Sequence, residues 1–350
     1  MQEQYDFLLH PGLGKTGTTY IRSVLSQERG ILYLGKDHKD RYMTSELETL
    51  HYILFPSCDP YSSKRPSAYL RNSRNFSIEY AKKIAHLIKT EQSRQVVLSD
   101  EAIFSFGIFD GELNVLLAAR LIKDIEQELN APLKVKVLLT IREQASMLQA
   151  HYAYDYVRWG RIAKTPAKFI DLLMNEGNKN AKFASFRFDE VLDLMDATVL
   201  GADINILPLE LLVRDPDAYH AYLASLLGKV ELTTKPSKKM MNSNRIQEGT
   251  VIKNIIRKPT LLNKAKFTAL EATLPAYQRV KGHLPAGARK ALRELRERYA
   301  SVSFKNDQAE KLGFAFTDEQ NAKVRAYFAA GNAKIQQRTA FDLKTLGYGV

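Results

Sequence analysis

A glycine-rich stretch near the start of the chain carries the clearest chemistry. It runs Gly12-Leu-Gly-Lys-Thr-Gly-Thr-Thr19, with three glycines, one lysine and three threonines. Glycines let a backbone turn tightly so that its N–H groups converge on one point, and a following helix adds its N-terminal dipole. Lys15 adds a full positive charge. The stretch is therefore predicted to bind a phosphate or sulfate group, although its glycines could also serve only to make a strand-to-helix turn.

The spacing of this loop differs from that of the phosphate loop of nucleoside triphosphatases. That pattern places Lys and Ser or Thr directly after its second glycine, whereas Thr18 follows Gly17 here. Lys15 stands two residues before Gly17, so it would reach an anion from the loop and not from the first turn of a helix. This argues against an enzyme that clamps a triphosphate with magnesium, and a P-loop kinase or NTPase is kept as the alternative function.

The elements that would position the loop alternate between strand and helix. Tyr5–Leu9 is a short apolar run typical of a buried strand, and Thr18–Gln27 has apolar residues at helical spacing. The alternation continues to about residue 230 and indicates an α/β fold with a central parallel sheet flanked by helices, like that of P-loop NTPases. Ser57–Asn75 is predicted to be a surface loop. The other predicted strands are Ile31–Leu34, Gln95–Leu98, Lys134–Ile141 and Asp203–Leu207, and the other predicted helices include Ile78–Thr90, Leu113–Leu129, Glu143–Tyr156, Asp217–Leu227 and Asp318–Ala330.

Three parts are expected in the chain. Residues 1–233 form the α/β core, residues 234–317 a basic, mainly helical insertion without a clear strand, and residues 318–350 a C-terminal helix and tail that pack on the core. The net charge of the chain is +12, and Lys235–Arg298, called the basic segment below, has 16 basic and 4 acidic residues and so carries all of it. This segment indicates an acidic ligand or partner nearby, or only a set of solvated helices.

Composition excludes several other classes. A single cysteine, Cys58, leaves no disulfide within the chain and no cysteine-rich metal site, and no metal is expected. No apolar run approaches the roughly 20 residues that span a bilayer, and the polar N-terminus is unlike a secretory signal, so a cytoplasmic protein is expected. A nucleic-acid-binding protein is a second alternative, but the basic segment offers only Phe267 and Tyr277 for stacking on bases, so no nucleic-acid partner is expected.

The loop resembles a known family. Lys15-Thr-Gly-Thr-Thr-Tyr-Ile-Arg22 is similar to the P-K-S-G-T-T-x-L loop of sulfotransferases that use 3′-phosphoadenosine 5′-phosphosulfate (PAPS). The resemblance implies that Lys15 contacts the oxygen that bridges to sulfur. Gly14 stands where the family usually has proline. The residues implied to bind the 5′-phosphosulfate are Gly14, Lys15, Thr16, Gly17, Thr18 and Thr19.

Leu139-Thr-Ile-Arg142 resembles the second nucleotide element of the same family, an arginine at a strand end followed eight residues later by a serine. In the family both residues hold the 3′-phosphate, and a guanidinium suits that role because it offers a fork of donors. The eighth residue here is Ala150. Ser146, one turn earlier on the same helix face, is expected to replace it. A weaker match at Met241–Arg245 adds Arg245 to the expected cofactor ligands.

Val97-Leu-Ser-Asp-Glu-Ala-Ile-Phe104 resembles the S-S/D-E strand end of bacterial members. Parallel α/β sheets bind ligands at the carboxyl ends of their strands, and an acceptor hydroxyl must lose its proton to a base. Glu101 is the first choice for this base and Asp100 the second. His151 and His10 are the less favoured alternatives. Glu101 could instead cap a helix or pair with a basic residue.

The resemblance extends from about residue 5 to residue 348. Phe188 to Glu210 is similar to the family's Y-D…V-L-P-[YF]-E-x-L segment, where Glu210 looks structural, and Tyr327–Asn332 with Asp342–Tyr348 is similar to a bacterial sulfotransferase ending. It implies an enzyme that moves a sulfuryl group from PAPS to an acceptor hydroxyl. A carbohydrate or another glycan or lipid, with an acidic one suggested by the basic segment, is the expected acceptor, while a small phenol and a tyrosine side chain remain open.

Overall fold

The computed structural model describes residues 4–35, 47, 50–51, 55, 67–104, 108–154, 163, 165–177, 181–199, 202–233, 246–247, 250–256 and 309–350. Cys58, Arg245 and most of the basic segment lie outside these residues. The chain divides into two compact units. The first contains Met1–Ser243 and Phe316–Val350, and the second contains Asn244–Ala315.

The first unit is built on a parallel sheet, which confirms the predicted fold class. Within the residues described, five strands lie in the order β2-β3-β1-β4-β5, and each neighbouring pair is parallel. The first strand is central, with Leu9 opposite Leu98 on one side and Val137 on the other. The strands are β1 (Tyr5–His10), β2 (Leu32–Gly35), β3 (Gln95–Ser99), β4 (Leu133–Ile141) and β5 (Asp203–Pro208).

Helices flank this sheet, most of them near their predicted positions. The helix that precedes β3 begins at Ser67, so the predicted loop Ser57–Asn75 was wrong for its second half. Ser and Asn are only mildly unfavourable within a helix, and Pro66 suits a position just before one. The helices are α1 (Thr18–Leu25), α2 (Ser67–Thr90), α3 (Ile108–Leu129), α4 (Gln144–Tyr154), α5 (Pro166–Glu176), α6 (Phe188–Thr198), α7 (Leu209–Arg214), α8 (Pro216–Leu226) and α9 (Asp318–Gln336).

The glycine loop is held between two buried elements. Strand β1 reads as a continuous apolar run because a parallel sheet is covered on both faces, and Leu8 and Leu9 are both buried. Helix α1 places Ile21 and Val24 in the same core cluster as Leu8. Burial of both flanking elements fixes the two ends of the loop in space.

The second unit contains strands that the sequence analysis did not foresee. Strands β6 (Ile246–Gln247), β7 (Thr250–Ile256) and β8 (Ala309–Phe314) form an antiparallel sheet in this order. The expectation of no clear strand in residues 234–317 was therefore wrong here. The run Thr-Val-Ile-Lys-Asn-Ile-Ile of β7 is rich in β-branched residues, but its partner β8 lies more than fifty residues away. Residues 257–308 lie outside the described part, and their helical character stays a prediction.

The C-terminal tail of the first unit is tied to helix α4. Thr317 and Gln320 form a capping box that starts α9. Further along α9, Asn332 and Gln144 exchange two hydrogen bonds, of 2.7 and 3.1 Å. Asn332 also donates to the carbonyl of Gly349. The tail is thereby held beside the start of α4, close to the end of β4.

Candidate functional site

The site lies at the carboxyl ends of β1, β3 and β4. Leu9 of β1 is level with Leu98 of β3 and Val137 of β4, so the residues that follow these strands come together at one edge of the sheet. They are the glycine loop after β1, Asp100 and Glu101 after β3, and Arg142 after β4. The site therefore follows from the order of the strands.

The backbone of the loop needs its glycines. Gly12 and Gly17 have φ angles of 53° and 85°, and Lys15 also adopts a left-handed conformation with φ of 69°. A Cβ at Gly17 would lie 2.6 Å from Cδ1 of Leu209, and one at Gly12 would lie 2.6 Å from Cγ2 of Thr18. Gly17 is also the N-cap of α1 and makes no side-chain cap, so the helix start offers its first N–H groups to a ligand.

Thr16 faces inward from the loop. Its hydroxyl donates to the carbonyl of Leu13 over 2.6 Å and lies 2.8 Å from the hydroxyl of Thr140 at the end of β4. Its backbone N–H also bonds to Leu13. With its side chain fully buried, Thr16 fixes the shape of the loop.

Arg142 connects the loop to helix α4. Its Nη1 donates to the carbonyl of Lys15 over 3.2 Å, and its Nε and Nη2 both donate to the hydroxyl of Ser146 over 2.9 and 2.6 Å. Burial lowers the pKa of the guanidinium, while Glu210 and Glu143 oppose that shift. Ser146, which was expected to replace the serine missing at position 150, therefore hydrogen-bonds to Arg142, the predicted phosphate ligand.

Glu101 meets the loop from the other side. The hydroxyl of Thr18 donates to Oε2 of Glu101 over 3.2 Å, and a Cβ at Gly12 would lie 3.7 Å from the Cα of Glu101. Thr19 is exposed and its hydroxyl accepts a hydrogen bond from Arg22. Glu101 is half-buried, so its carboxylate lies at the rim of the loop.

Asp100 lies inside the protein. It is 0% exposed, its Oδ1 accepts from the N–H of Ala102, and its Oδ2 lies 2.7 Å from Nε2 of His51. His51 in turn hydrogen-bonds to the hydroxyl of Tyr80. Both carboxylate oxygens of Asp100 therefore hold the turn after β3 in place.

The two histidines that were considered as alternative bases, His10 and His151, are both neutral near pH 7. His10 is buried, and its Nδ1 is 2.7 Å from the hydroxyl of Ser99. Burial, and secondarily the charge of Arg22, lowers the pKa of His10 to about 3. His151 lies against the loop, with Nε2 donating to the carbonyl of Gly14 over 3.2 Å, and burial together with the charges of Lys15 and Arg142 lowers its pKa to about 4.

Lys15 extends its side chain towards the end of α4. Its Nζ lies 3.4 Å from the centre of the Tyr154 ring, a separation at which an ammonium is attracted to the ring face. Tyr154 is 58% exposed. Tyr154 was not among the predicted site residues, because no spacing along the chain links residues 15 and 154.

A cavity of about 350 Å³ opens beside Arg142. Charged, polar and apolar side chains line it, among them Val213, which is 76% exposed. Glu210 in its wall accepts from the hydroxyl of Tyr348 and the N–H of Glu143, and burial raises the pKa of Glu210. The lining residues are Arg142, Ser146, Leu209, Glu210, Val213, Arg214, Thr345 and Leu346.

None of the helices described in residues 4–350 is long and apolar enough to cross a membrane. Over the same described residues, no group of three or more His, Cys, Asp and Glu side chains is placed to hold a metal ion.

No family model matches the chain, and a search of curated proteins finds no match. Several solved structures are similar. A sulfotransferase from Alicyclobacillus acidocaldarius is 14% identical over 82% of this chain and 99% of its own, with a TM-score of 0.37. The sulfotransferase domain of the Synechococcus PCC 7002 olefin synthase is 13% identical over 70% of this chain and 78% of its own, with a TM-score of 0.33. A sulfotransferase domain from the curacin biosynthetic pathway is 10% identical over 71% of this chain and 80% of its own, with a TM-score of 0.34.

Proposed function

We propose that this chain is a sulfotransferase that moves a sulfuryl group from PAPS to an acceptor hydroxyl. The observation that carries the proposal is that residues from the two strands beside β1 both bond to the glycine loop. Arg142 donates to the carbonyl of Lys15, and Glu101 accepts from Thr18. An arginine that would bind the 3′-phosphate and a carboxylate that would serve as the base thus contact the loop from the strands on either side of β1. The loop sequence, which resembles that of sulfotransferases, supports the same function.

The residues present fit the proposed donor. The loop combines an ammonium group with a helix N-terminus that has no side-chain cap, and both suit the binding of a phosphosulfate. The lining of the neighbouring cavity includes Arg142 and Ser146, which suit a phosphate, and the apolar Leu209, Val213 and Leu346, which suit a flat base. Such a mixture of apolar surface and a few directed polar groups is usual for nucleotide sites.

Each functional side chain would have one task. The donor, when bound, supplies an activated sulfuryl group. Glu101 accepts the proton of the acceptor hydroxyl as the oxygen of that hydroxyl bonds to sulfur. Lys15 neutralises the negative charge that develops on the bridging phosphate oxygen as its bond to sulfur breaks. Arg142, with Ser146, holds the 3′-phosphate through charge-assisted hydrogen bonds.

The proposal gives different roles to residues that the sequence grouped together. Glu101 is preferred to Asp100 as the base, because both oxygens of Asp100 are used inside the protein. Thr16 is assigned to the shape of the loop, and Gly17 with Thr18 and Thr19 to the donor. Arg245 remains a proposed ligand outside the described residues.

The acceptor is proposed from charge alone. The basic segment would attract an acidic group, so we favour an anionic carbohydrate, or another anionic glycan or lipid, over an uncharged phenol. Charge steering of this kind weakens as salt is added, because exposed charges are screened over about 8 Å at physiological ionic strength.

Calorimetry with three ligands tests the donor assignment. We expect 3′-phosphoadenosine 5′-phosphate (PAP), the product of transfer, to bind without magnesium, and ATP with magnesium to bind more weakly. The variant Arg142→Ala should bind PAP more weakly, whereas Arg338→Ala, which removes an exposed arginine paired with Asp196, should bind PAP as the wild-type chain does. Tighter binding of ATP with magnesium than of PAP would replace the proposal by a kinase or NTPase. Binding of an oligonucleotide instead of either nucleotide would favour a nucleic-acid-binding protein.

A further inference from the structure

The contact between Lys15 and Tyr154 lies on a well-anchored part of the site. Tyr154 is the last residue of helix α4, and that helix is fastened to the glycine loop at two other points. His151, one turn before Tyr154, donates to the carbonyl of Gly14. Arg142, which precedes the helix and bonds to Ser146 within it, donates to the carbonyl of Lys15. Since residues three apart share one face of a helix, the ring of Tyr154 has a defined place beside the loop.

Two positive groups lie close to Lys15 in the part of the chain that the structure describes. The helix start at Gly17 presents positive dipole ends, and Arg142 brings a second positive charge to the main chain of Lys15. His151 is neutral near pH 7, because its pKa is lowered to about 4, and so adds no further positive charge. The face of an aromatic ring carries partial negative charge, and Tyr154 presents that face to Nζ of Lys15 at 3.4 Å.

The same contact is weak enough to be exchanged for a bound anion. A cation–π contact at an exposed ring contributes less than a charge-assisted hydrogen bond to a phosphate or sulfate oxygen. Tyr154 is 58% exposed, so its contact with Lys15 belongs to the weaker class. The ammonium group can therefore leave the ring for the donor at little cost, and the ring keeps it extended and close to the loop until then.

We propose that Tyr154 is a positioning residue that holds the ammonium group of Lys15 at the mouth of the glycine loop through the face of its ring. The proposal rests on the role of Lys15 in the proposed function. The hydroxyl of Tyr154 has no part in it, so Tyr154→Phe keeps the effect and Tyr154→Leu removes it. Because Lys15 acts on the leaving oxygen, loss of the ring lowers kcat and changes the KM of the donor little.

Chemical reactivity of Lys15 tests the contact without any ligand or turnover. The full chain is acetylated with a limiting amount of an N-hydroxysuccinimide ester at several pH values, and acetylation of Lys15 is measured by quantitative peptide mass spectrometry against that of the exposed Lys168. Only the unprotonated amine reacts, so a ring that stabilises the ammonium form slows the reaction. Tyr154→Leu should raise the relative reactivity of Lys15 about two- to fivefold, and Tyr154→Phe should match the wild-type chain.

Steady-state kinetics with PAPS then separates positioning from a structural role. Tyr154→Leu should lower kcat about two- to fivefold with the donor KM unchanged, and Tyr154→Phe should restore kcat. Equal Lys15 reactivity in the wild-type chain and Tyr154→Leu would overturn the proposal, as would an equal loss of kcat in both variants. If no sulfuryl transfer is found while the reactivity difference is present, the proposed function fails and the positioning of Lys15 by Tyr154 stands.

Discussion

Arg142 donates a hydrogen bond through Nη1 to the main-chain carbonyl of Lys15, 3.2 Å away. The two residues are 127 positions apart in the chain and follow adjacent parallel strands. A side chain proposed to bind one phosphate thus also supports the backbone of the loop proposed to bind another. Because this hydrogen bond joins the two halves of the proposed donor site, a substitution of Arg142 should also change the conformation of the loop.

Removal of the Lys15 side chain should slow turnover far more than it weakens donor binding. Lys15→Ala takes away a charge that acts mainly as the leaving oxygen becomes negative, and loss of one such donor costs roughly a hundredfold or more in kcat. Steady-state rates with PAPS, together with calorimetry of PAP, measure both quantities. Lys168→Ala is the control because Lys168 is an exposed lysine on α5. A kcat that is unchanged in Lys15→Ala would remove Lys15 from the mechanism.

Arg142→Ala should weaken PAP binding about 10- to 100-fold, since it removes charge-assisted hydrogen bonds to the 3′-phosphate. Adenosine 5′-phosphosulfate, which lacks that phosphate, should lose much less affinity. Ser146→Ala should also weaken PAP binding more than binding of adenosine 5′-phosphosulfate, but by a smaller factor. The reason is that the Ser146 hydroxyl accepts hydrogen bonds from Nε and Nη2 of Arg142. If both nucleotides weaken equally in Arg142→Ala, then Arg142 acts only by supporting the loop.

Glu101 and Asp100 should give opposite results when they are replaced. Glu101→Gln should lower kcat about 10²- to 10⁴-fold, as expected for loss of a general base, with the free energy of unfolding little changed. Asp100→Ala removes the buried acceptor of His51 Nε2 and of the Ala102 N–H and should lower the free energy of unfolding by about 1–3 kcal/mol, while folded protein retains turnover. Denaturant titration and rates per folded molecule distinguish the two. A stable Asp100→Ala variant without turnover would make Asp100 the base.

Stability should fall as the pH is lowered from about 6.5 towards 5. His10 and His151 have folded-state pKa values of about 3 and about 4, whereas an unfolded histidine titrates near its ordinary value of about 6.5. The unfolded chain therefore binds more protons in this range, and the free energy of unfolding decreases as the pH falls, by up to about 2 kcal/mol for each histidine at pH 5.

Denaturant titrations at several pH values measure this slope. His151→Gln keeps a donor for the carbonyl of Gly14 but cannot be protonated, so it should reduce the slope between pH 6.5 and 5. His86→Gln replaces an exposed histidine on α2 and serves as the matched control. Identical slopes in the wild-type chain and His151→Gln would show that His151 is not held neutral by the fold.

Much of the first unit could be predicted because its signals are local. Strand β4 was foreseen from the run Lys-Val-Lys-Val-Leu-Leu-Thr-Ile, whose β-branched residues favour a strand, and the glycine loop from residue types within eight positions. Strand β8 was missed because Ala-Glu-Lys-Leu-Gly-Phe has little strand character of its own. It pairs with β7 across more than fifty residues, and no local pattern reports such a partner.

The sequence by itself determined the order of strands and helices in the first unit and the loop that would meet an anion, since periodic burial and glycine spacing act over a few residues. The tertiary structure decided which side chains share that loop. It placed Asp100 against His51 inside the protein and left Glu101 at the rim, although the two are neighbours in the chain. It also brought Tyr154 onto Lys15. These choices depend on packing between strands and helices far apart in the chain, where burial and the need to satisfy each polar group select one arrangement.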